Sequence, residues 1–198
     1  MPDPLVDALA ASRDRTFAIV AHLDDAQLEH QVDPLMSPLV WDLAHIAAYE
    51  DLWLVHRFAG VPLLHPELAA RYDAFETPRA VRGEIELLDA DGAREYLATV
   101  RERTLAAIDA RGVDPFVHEM VVRHELQHTE TMRQAMRLAG VLAPGEPALQ
   151  TFNGGRRRNG STSPPGPRPW APPTTSSPTT TSALATASGS APSASRGG

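Results

Sequence analysis

The segment DPFVHEMVVRHELQHTETMRQAMRLAG, between Asp114 and Gly140, most restricts what this chain can fold into. It opens with Asp-Pro, which suits a helix N-cap followed by the first helical position, and it closes on a glycine, so it predicts one long α-helix. Stepping by four and three residues gives one inward face: Val117, Val121, His124, His128, Thr131, Ala135 and Leu138. The charged residues Glu125 and Arg123 fall off this face. A helix with one such face needs partners, so the pattern predicts packed helices.

Three further segments predict long helices. They cover residues 4–23, residues 38–59, with Ser37 as N-cap and Gly60 after the end, and residues 91–111. Almost nothing alternates with period two, and the only long connection, residues 61–89, lies between helices 2 and 3. We therefore predict an all-α four-helix bundle with a long crossover between helices 2 and 3.

The composition changes sharply near residue 143. Beyond it the chain is mostly Ser, Thr, Pro, Ala, Gly and Arg, a mixture that cannot bury enough apolar surface to fold. We predict a helical bundle over residues 1–143, and a linker and disordered low-complexity tail over residues 144–198. All basic residues are arginine, which indicates a GC-rich gene. The tail is either a genuine one or a frameshift product that replaces a second domain.

Charge and cysteine content exclude several classes of function. Up to Glu146, 13 arginines stand against 25 acidic residues, a net charge of −12, so nucleic acid is not an expected partner. The chain has no cysteine, which excludes disulfides and thiolate catalysis. No apolar run reaches the roughly 20 residues of a membrane span. We expect a soluble, cytoplasmic protein with no membrane partner.

Two histidines one turn apart on the inward face of a helix indicate a metal site. Side chains at i and i+4 point the same way, so His124 and His128 can reach one ion. The best third ligand is His45, on the predicted second helix, while His56 on that helix is a competitor. Glu50 or Asp42 is an alternative oxygen ligand. The other histidines lie near helix ends or loops and are expected to be solvated: His22, His30, His65 and His118.

The motif H-E-x-x-H also occurs in zinc metalloproteases, where the two histidines bind zinc and the glutamate is the base. The sequence does not offer the third zinc ligand that such a protease requires. Thr131 stands where one protease class needs glycine, no histidine follows His128, and Glu146 lies between prolines. The segments upstream are helical, whereas these proteases place the motif after a β-sheet. Metal binding without proteolysis is the better interpretation.

The stretches SPLVWDLAHIAAYEDLW and HELQHTETM together resemble DinB-like bundles, and more closely the N-terminal domain of EgtB-type sulfoxide synthases (hercynine oxygenases) of ergothioneine biosynthesis. The resemblance covers roughly residues 5–143. It implies that His45, His124 and His128 bind a non-haem Fe(II). It also implies that oxygen is used to join hercynine to a thiol, γ-glutamylcysteine or cysteine.

The same resemblance assigns substrate contacts. Gln127 would contact hercynine, and an arginine of the crossover, Arg79 or else Arg82, would bind the carboxylate of the thiol substrate. Glu50 and Tyr49 are candidates for orienting the imidazoles. Three histidines also suit zinc or nickel, so the choice of iron follows from the resemblance.

Members of this family carry a second domain similar to formylglycine-generating enzyme, which covers the iron and supplies a catalytic tyrosine. No such domain is evident in this chain, so we expect metal binding with little or no synthase activity from the chain alone. Two alternatives remain open. One is a stand-alone DinB-like metal-dependent thiol transferase, and the other is a non-catalytic bundle with structural histidines.

Overall fold

The computed structural model describes residues 3–143, and this part consists of helices without a β-strand. The four longest helical runs are α1 (Pro4–Val20), α3 (Leu39–Glu50, continued by a π-helix at Asp51–Phe58), α5 (Ala90–Arg111) and α6 (Pro115–Ala139). Shorter elements are α2 (Asp25–Glu29), α4 (Pro66–Arg71) and a 3-10 turn (Arg79–Val81). The predicted all-α bundle with a long crossover is confirmed. The predicted linker and tail, residues 144–198, lie outside the described residues.

The ends of α6 follow the sequence signals. The side chain of Asp114 accepts hydrogen bonds from the backbone N–H groups of Phe116 and Val117, both at 2.9 Å. Gly140 ends the helix with a φ of 72°, a left-handed conformation that favours glycine. Two other predicted ends are wrong. α1 stops at Val20, and Pro38 rather than Ser37 precedes α3, while the Ser37 hydroxyl accepts a hydrogen bond from Arg82.

The second predicted helix is not α-helical throughout. From Asp51 it widens into a π-helix, a rare form that often lies at functional sites. The buried Asp51 carboxylate accepts hydrogen bonds from the Leu64 N–H at 2.8 Å and from Arg103 at 2.7 Å, which ties this segment to the crossover and to α5. The wider turn changes the phase of the helix. His56 therefore leaves the face of His45 and is exposed, so it is not a competing ligand.

The buried face of α6 is rotated by one residue from the predicted one. Its buried residues are His118, Val121, Val122, Glu125, Thr129, Met132, Ala135 and Met136. Leu138, predicted to face inward, is 61% exposed, whereas Glu125, predicted to face away, is 1% exposed. The observed face carries five apolar residues and also Glu125, whose carboxylate is paired with Arg13 and Arg101.

His118 was predicted to be solvated and is instead fully buried. Its Nδ1 lies 2.8 Å from the backbone oxygen of Asp114, and its ring meets Phe58 edge-on at 5.2 Å. The ring thus closes the first turn of α6 against the end of the π-helix. The predictions for His22, His30 and His65 are confirmed, because all three are exposed.

The main core lies between α3, α5 and the C-terminal half of α6, around the fully buried Trp41 and Leu97. A second cluster forms where α1, the π-helix and the first turns of α6 meet, around Leu9 and Val121. Among residues 3–143 no helix has both the length and the apolar character of a membrane span. The two clusters hold α6 on both sides of its middle turns, where His124 and His128 lie.

Candidate metal centre

Three histidines from two helices converge at the middle of the bundle. α3 contributes His45, and α6 contributes His124 and His128. Their ligand-capable ring nitrogens all lie within 4.8 Å of one another, and the Nε2 atoms of His45 and His124 are 3.1 Å apart. The three ring centroids form a nearly equilateral triangle with sides of 4.6 to 4.9 Å. Within residues 3–143 this is the one cluster of histidine and acidic side chains with a geometry that suits a metal ion.

Hydrogen bonds fix the tautomer of two of these rings. The Nδ1–H of His45 donates to the backbone oxygen of Tyr72 at 2.6 Å, and the Nδ1–H of His128 donates to Oδ1 of Asp42 at 2.8 Å. Both acceptors lack a proton to give, so each ring keeps its hydrogen on Nδ1 and its lone pair on Nε2. The Nε2 lone pairs are therefore available for a common cation, as in other carboxylate–histidine–metal arrangements.

Neither alternative oxygen ligand takes the third position. Asp42 lies behind His128 and orients that ring. Glu50, also expected near the imidazoles, is fully buried elsewhere and is paired with two arginines. Tyr49 does contact the cluster, because its ring stacks on His124 with 3.6 Å between centroids.

A three-layer stack fixes the plane of His45. Trp41, one helical turn earlier on α3, stacks on the imidazole at 4.7 Å with an angle of 16° between the planes. The guanidinium carbon of Arg82 lies 3.4 Å from the centroid of the Trp41 rings. A cation over an indole is attracted by the electron density of its ring face. Rotation of His45 is therefore blocked by the stack and by the bond to Tyr72.

The surroundings keep these imidazoles neutral. Burial, with a further contribution from His128, lowers the pKa of His45 to about 4. Burial, with His128 and His45 adding to it, lowers the pKa of His124 to about 2. Because a metal ion binds only the neutral imidazole, protons compete weakly for this cluster at neutral pH.

A cavity of about 660 Å³ opens from the histidines toward the crossover. Its walls include both residues for which the sequence predicted substrate contacts, Gln127 and Arg79. The guanidinium of Arg79 is exposed and makes no hydrogen bond or ion pair within residues 3–143. Arg82 also lines the cavity but is buried, and it donates to the Thr77 carbonyl and the Ser37 hydroxyl at 2.9 and 2.8 Å.

Sequence reasoning named Tyr49 beside the imidazoles but missed the orienting roles of Trp41, Tyr72 and Asp42. Trp41 stands four positions before His45, a spacing that places two side chains on one helix face, so the stack had a sequence signal. Tyr72 acts through its backbone oxygen, for which no sequence signal exists. The role of Asp42 was seen only as a possible ligand.

Comparison with known proteins agrees with this architecture. The sequence profile of the DinB superfamily matches residues 8–132. Hercynine oxygenase of Mycobacterium tuberculosis is 50% identical over 143 residues, which cover 69% of this chain and 33% of that protein. Hercynine oxygenase of Mycolicibacterium smegmatis is 46% identical over 155 residues, 75% of this chain and 35% of that protein. For Mycolicibacterium thermoresistibile the identity is 45% over 168 residues, 82% of this chain and 34% of the relative.

The chain thus spans about a third of the length of the curated relatives it matches. The matched family region, residues 8–132, contains all three histidines and the crossover that orients one of them. On this match the chain belongs to the DinB superfamily, and its helical bundle is related to the hercynine oxygenases.

Proposed function

We propose that His45, His124 and His128 bind one Fe(II) ion. We further propose that this centre serves the oxidative formation of a C–S bond between hercynine and γ-glutamylcysteine, or cysteine, in ergothioneine biosynthesis in the cytoplasm. The observation that carries the proposal is the convergence of three imidazole nitrogens within 4.8 Å. The names of the relatives, hercynine oxygenases, support the substrate.

The chain's own residues would hold the ion from one side. The backbone oxygen of Tyr72 and the carboxylate of Asp42 keep two rings in the tautomer that presents Nε2. Three neutral imidazoles on one side leave the cavity side free for substrates. Bound Fe(II) would supply the oxygen activation that such a reaction requires, and zinc would not.

Two side chains of the cavity suit the substrates. Gln127, which is exposed on the turn between the paired histidines, offers an amide that can both donate and accept hydrogen bonds. The unpaired guanidinium of Arg79 suits the carboxylate of a thiol substrate, because arginine binds carboxylates through two parallel hydrogen bonds. Arg82 is the weaker candidate, since its donors already bind the protein.

The described part of the chain leaves the mouth of the cavity open to water. Phe75, on its rim, is 96% exposed. Enzymes that use reactive oxygen species usually close their site before the chemistry begins. We therefore propose that the 198-residue chain binds the ion but makes little or no sulfoxide when it is alone.

Metal analysis of the purified chain tests the proposal. The anaerobically reconstituted protein should bind one Fe(II), and His124→Ala should lose it. His56→Ala, an exposed histidine on the continuation of α3, is the matched control and should keep it. Preference for zinc or nickel over iron would favour the thiol-transferase alternative. No metal in either the parent or the variant would favour a structural bundle.

Activity is measured separately. Aerobic incubation with hercynine and γ-glutamylcysteine, followed by mass spectrometry, should show little product. Turnover comparable to that of a longer hercynine oxygenase would overturn the expectation of low activity, while leaving the metal assignment intact.

A further inference from the structure

Four charged side chains form a network separate from the three histidines; three of them are buried and the fourth, Arg101, is largely so. Each of the four long helical runs contributes one: Arg13 from α1, Glu50 from α3, Arg101 from α5 and Glu125 from α6. The two glutamates are at most 1% exposed. We call these four residues the ionic quartet; its formal charges cancel.

The glutamate of H-E-x-x-H is fully engaged in the quartet. Its Oε1 accepts from the Nε–H of Arg13 and the hydroxyl of Thr16, both at 2.8 Å. Its Oε2 accepts from the hydroxyl of Ser12 at 3.2 Å and from Arg101 at 3.4 Å. A buried carboxylate that accepts from four donors has one favourable position. Moving it would leave both its charge and the donors without partners, which costs free energy.

Glu50 joins the other side of the quartet in the same way. It accepts from Arg13 at 2.8 Å and from Arg101 at 2.8 and 3.0 Å. Arg13 also donates to the carbonyl of Leu97 on α5, and Arg101 to the carbonyl of Leu9 on α1. These bonds fix the four helices to one another at a single level of the bundle.

Apolar residues lie on two neighbouring faces of α6, so the apolar pattern alone excludes neither of the two rotations that would bury them. One face of the helix carries Val117, Val121, His124 and His128, and a neighbouring face carries Val121, Val122, Glu125 and Met132. The second carries three apolar residues against two on the first, and it is the buried face. With the second face buried, the two histidines stand at the edge of the bundle, opposite His45, rather than inside its core.

We infer that Glu125 is a positioning residue, which through the ionic quartet sets the rotation of α6 so that His124 and His128 meet His45. This inference rests on the proposed metal site. Buried ion networks add little net stability compared with apolar side chains of similar size, and their best-established role is to select one register among several. Here the registers are the two rotations of α6, and on this inference they differ in whether His124 and His128 meet His45.

Replacing the quartet with apolar residues separates positioning from stability. The variant Arg13→Met, Glu50→Leu, Arg101→Met, Glu125→Leu should unfold at the same or a higher temperature, since no buried charge is left unpaired. Its affinity for Co(II), used as a spectroscopic probe, should fall by about tenfold or more, in the range known for residues that orient metal ligands. The Co(II) absorption bands should also shift.

Asp51→Asn provides the matched control. Asp51, whose carboxylate is as buried as those of the quartet, forms an ion pair with Arg103, but it does not contact α6 through that pair. This variant should unfold at a lower temperature and keep the Co(II) affinity of the parent. If the quartet variant does not fold, the single change Glu125→Gln should weaken Co(II) binding with helix content preserved. The inference would be overturned if the Co(II) affinity simply followed the unfolding temperature across all variants. It would also be overturned if the quartet variant kept the Co(II) affinity of the parent.

A parent chain that binds no Co(II) would refute the proposed metal site but would still test positioning. In that case the ring protons of His45 and His124, whose centroids are 4.9 Å apart, should give nuclear Overhauser effects in the parent. The effects should vanish in the quartet variant. Their persistence there would refute the positioning role independently of any metal.

Discussion

Removing the carboxylate of Asp42 should weaken metal binding without dismantling the bundle. Oδ1 of Asp42 accepts the Nδ1–H of His128 at 2.8 Å, and Asp42 is only 4% exposed. This bond selects the tautomer with a free Nε2 and raises the basicity of the ring toward a cation. Loss of such a partner typically costs about tenfold to a hundredfold in metal affinity. That corresponds to about 1.4 to 2.7 kcal/mol of binding free energy.

Competition titrations with zinc and a chromophoric chelator measure this effect. Asp42→Ala should lose most affinity, because Nδ1 of His128 is left without an acceptor. Asp42→Asn should fall between it and the parent, since the amide oxygen can still accept but carries no charge. Asp73→Asn is the control, because the Asp73 carboxylate lines the same cavity but binds only the crossover backbone, at Phe75 and Glu76. Circular dichroism confirms that each variant is folded.

The role of the Asp42 hydrogen bond would be refuted if Asp42→Ala bound zinc as tightly as the parent while His128→Ala did not bind it. Such a result would mean that the protein matrix alone sets the ring of His128. A loss of affinity in Asp73→Asn equal to that in Asp42→Ala would point to a general effect of cavity charge rather than to the hydrogen bond.

Three further predictions concern the surroundings of the site. Since the folded pKa values of His45 (about 4) and His124 (about 2) lie below the ordinary 6.5, the unfolded chain binds more protons below pH 6.5. The free energy of unfolding of the metal-free protein should therefore fall as the pH drops from 6.5 toward 4. Each of the two histidines should contribute a loss of about 1.4 kcal/mol per pH unit. Urea titrations check this, and His124→Asn should reduce the slope. Arg82→Lys should lower the free energy of unfolding by about 1 to 3 kcal/mol, because lysine cannot keep both the stack on Trp41 and the bonds to the crossover; an unchanged urea midpoint would contradict it. Phe75→Ser should change stability by less than about 0.5 kcal/mol, since the ring is 96% exposed, and a larger loss in the same titration would show that the ring packs.

Local signals predicted most of the fold. The ends of α6 and α5 follow from aspartate caps and terminal glycines, whose effects depend on neighbouring residues alone. The π-helix at Asp51–Phe58 could not be predicted, because contacts from residues distant in the chain, Leu64 and Arg103, accompany it. A pattern of apolar residues reports that a helix is buried, and it does not report how the turns of that helix adjust to distant partners.

The candidate site, too, was predictable only in part from the sequence. The paired histidines and His45 were predictable from spacing and from the resemblance to a family. Their orientation was not, because the acceptor for His45 is a backbone oxygen 27 positions away, at Tyr72. Backbone oxygens are the same in every residue, so only the fold decides which one is near. The proposed roles of Gln127 and Arg79 stay predictions, although both residues line the cavity.

The glutamate of H-E-x-x-H shows what such a motif can and cannot establish. In metalloproteases that glutamate is the general base, and it must reach a water molecule at the metal. Here the carboxylate of Glu125 accepts hydrogen bonds from two arginines and two hydroxyls on the neighbouring face of α6, so it has no free lone pair directed at the histidines. The i, i+4 spacing of histidines is a consequence of helix geometry and indicates a metal in either setting. The chemistry depends on what the intervening residues contact. In this bundle Glu125 contacts Arg13 of α1 and Arg101 of α5 rather than the histidine cluster.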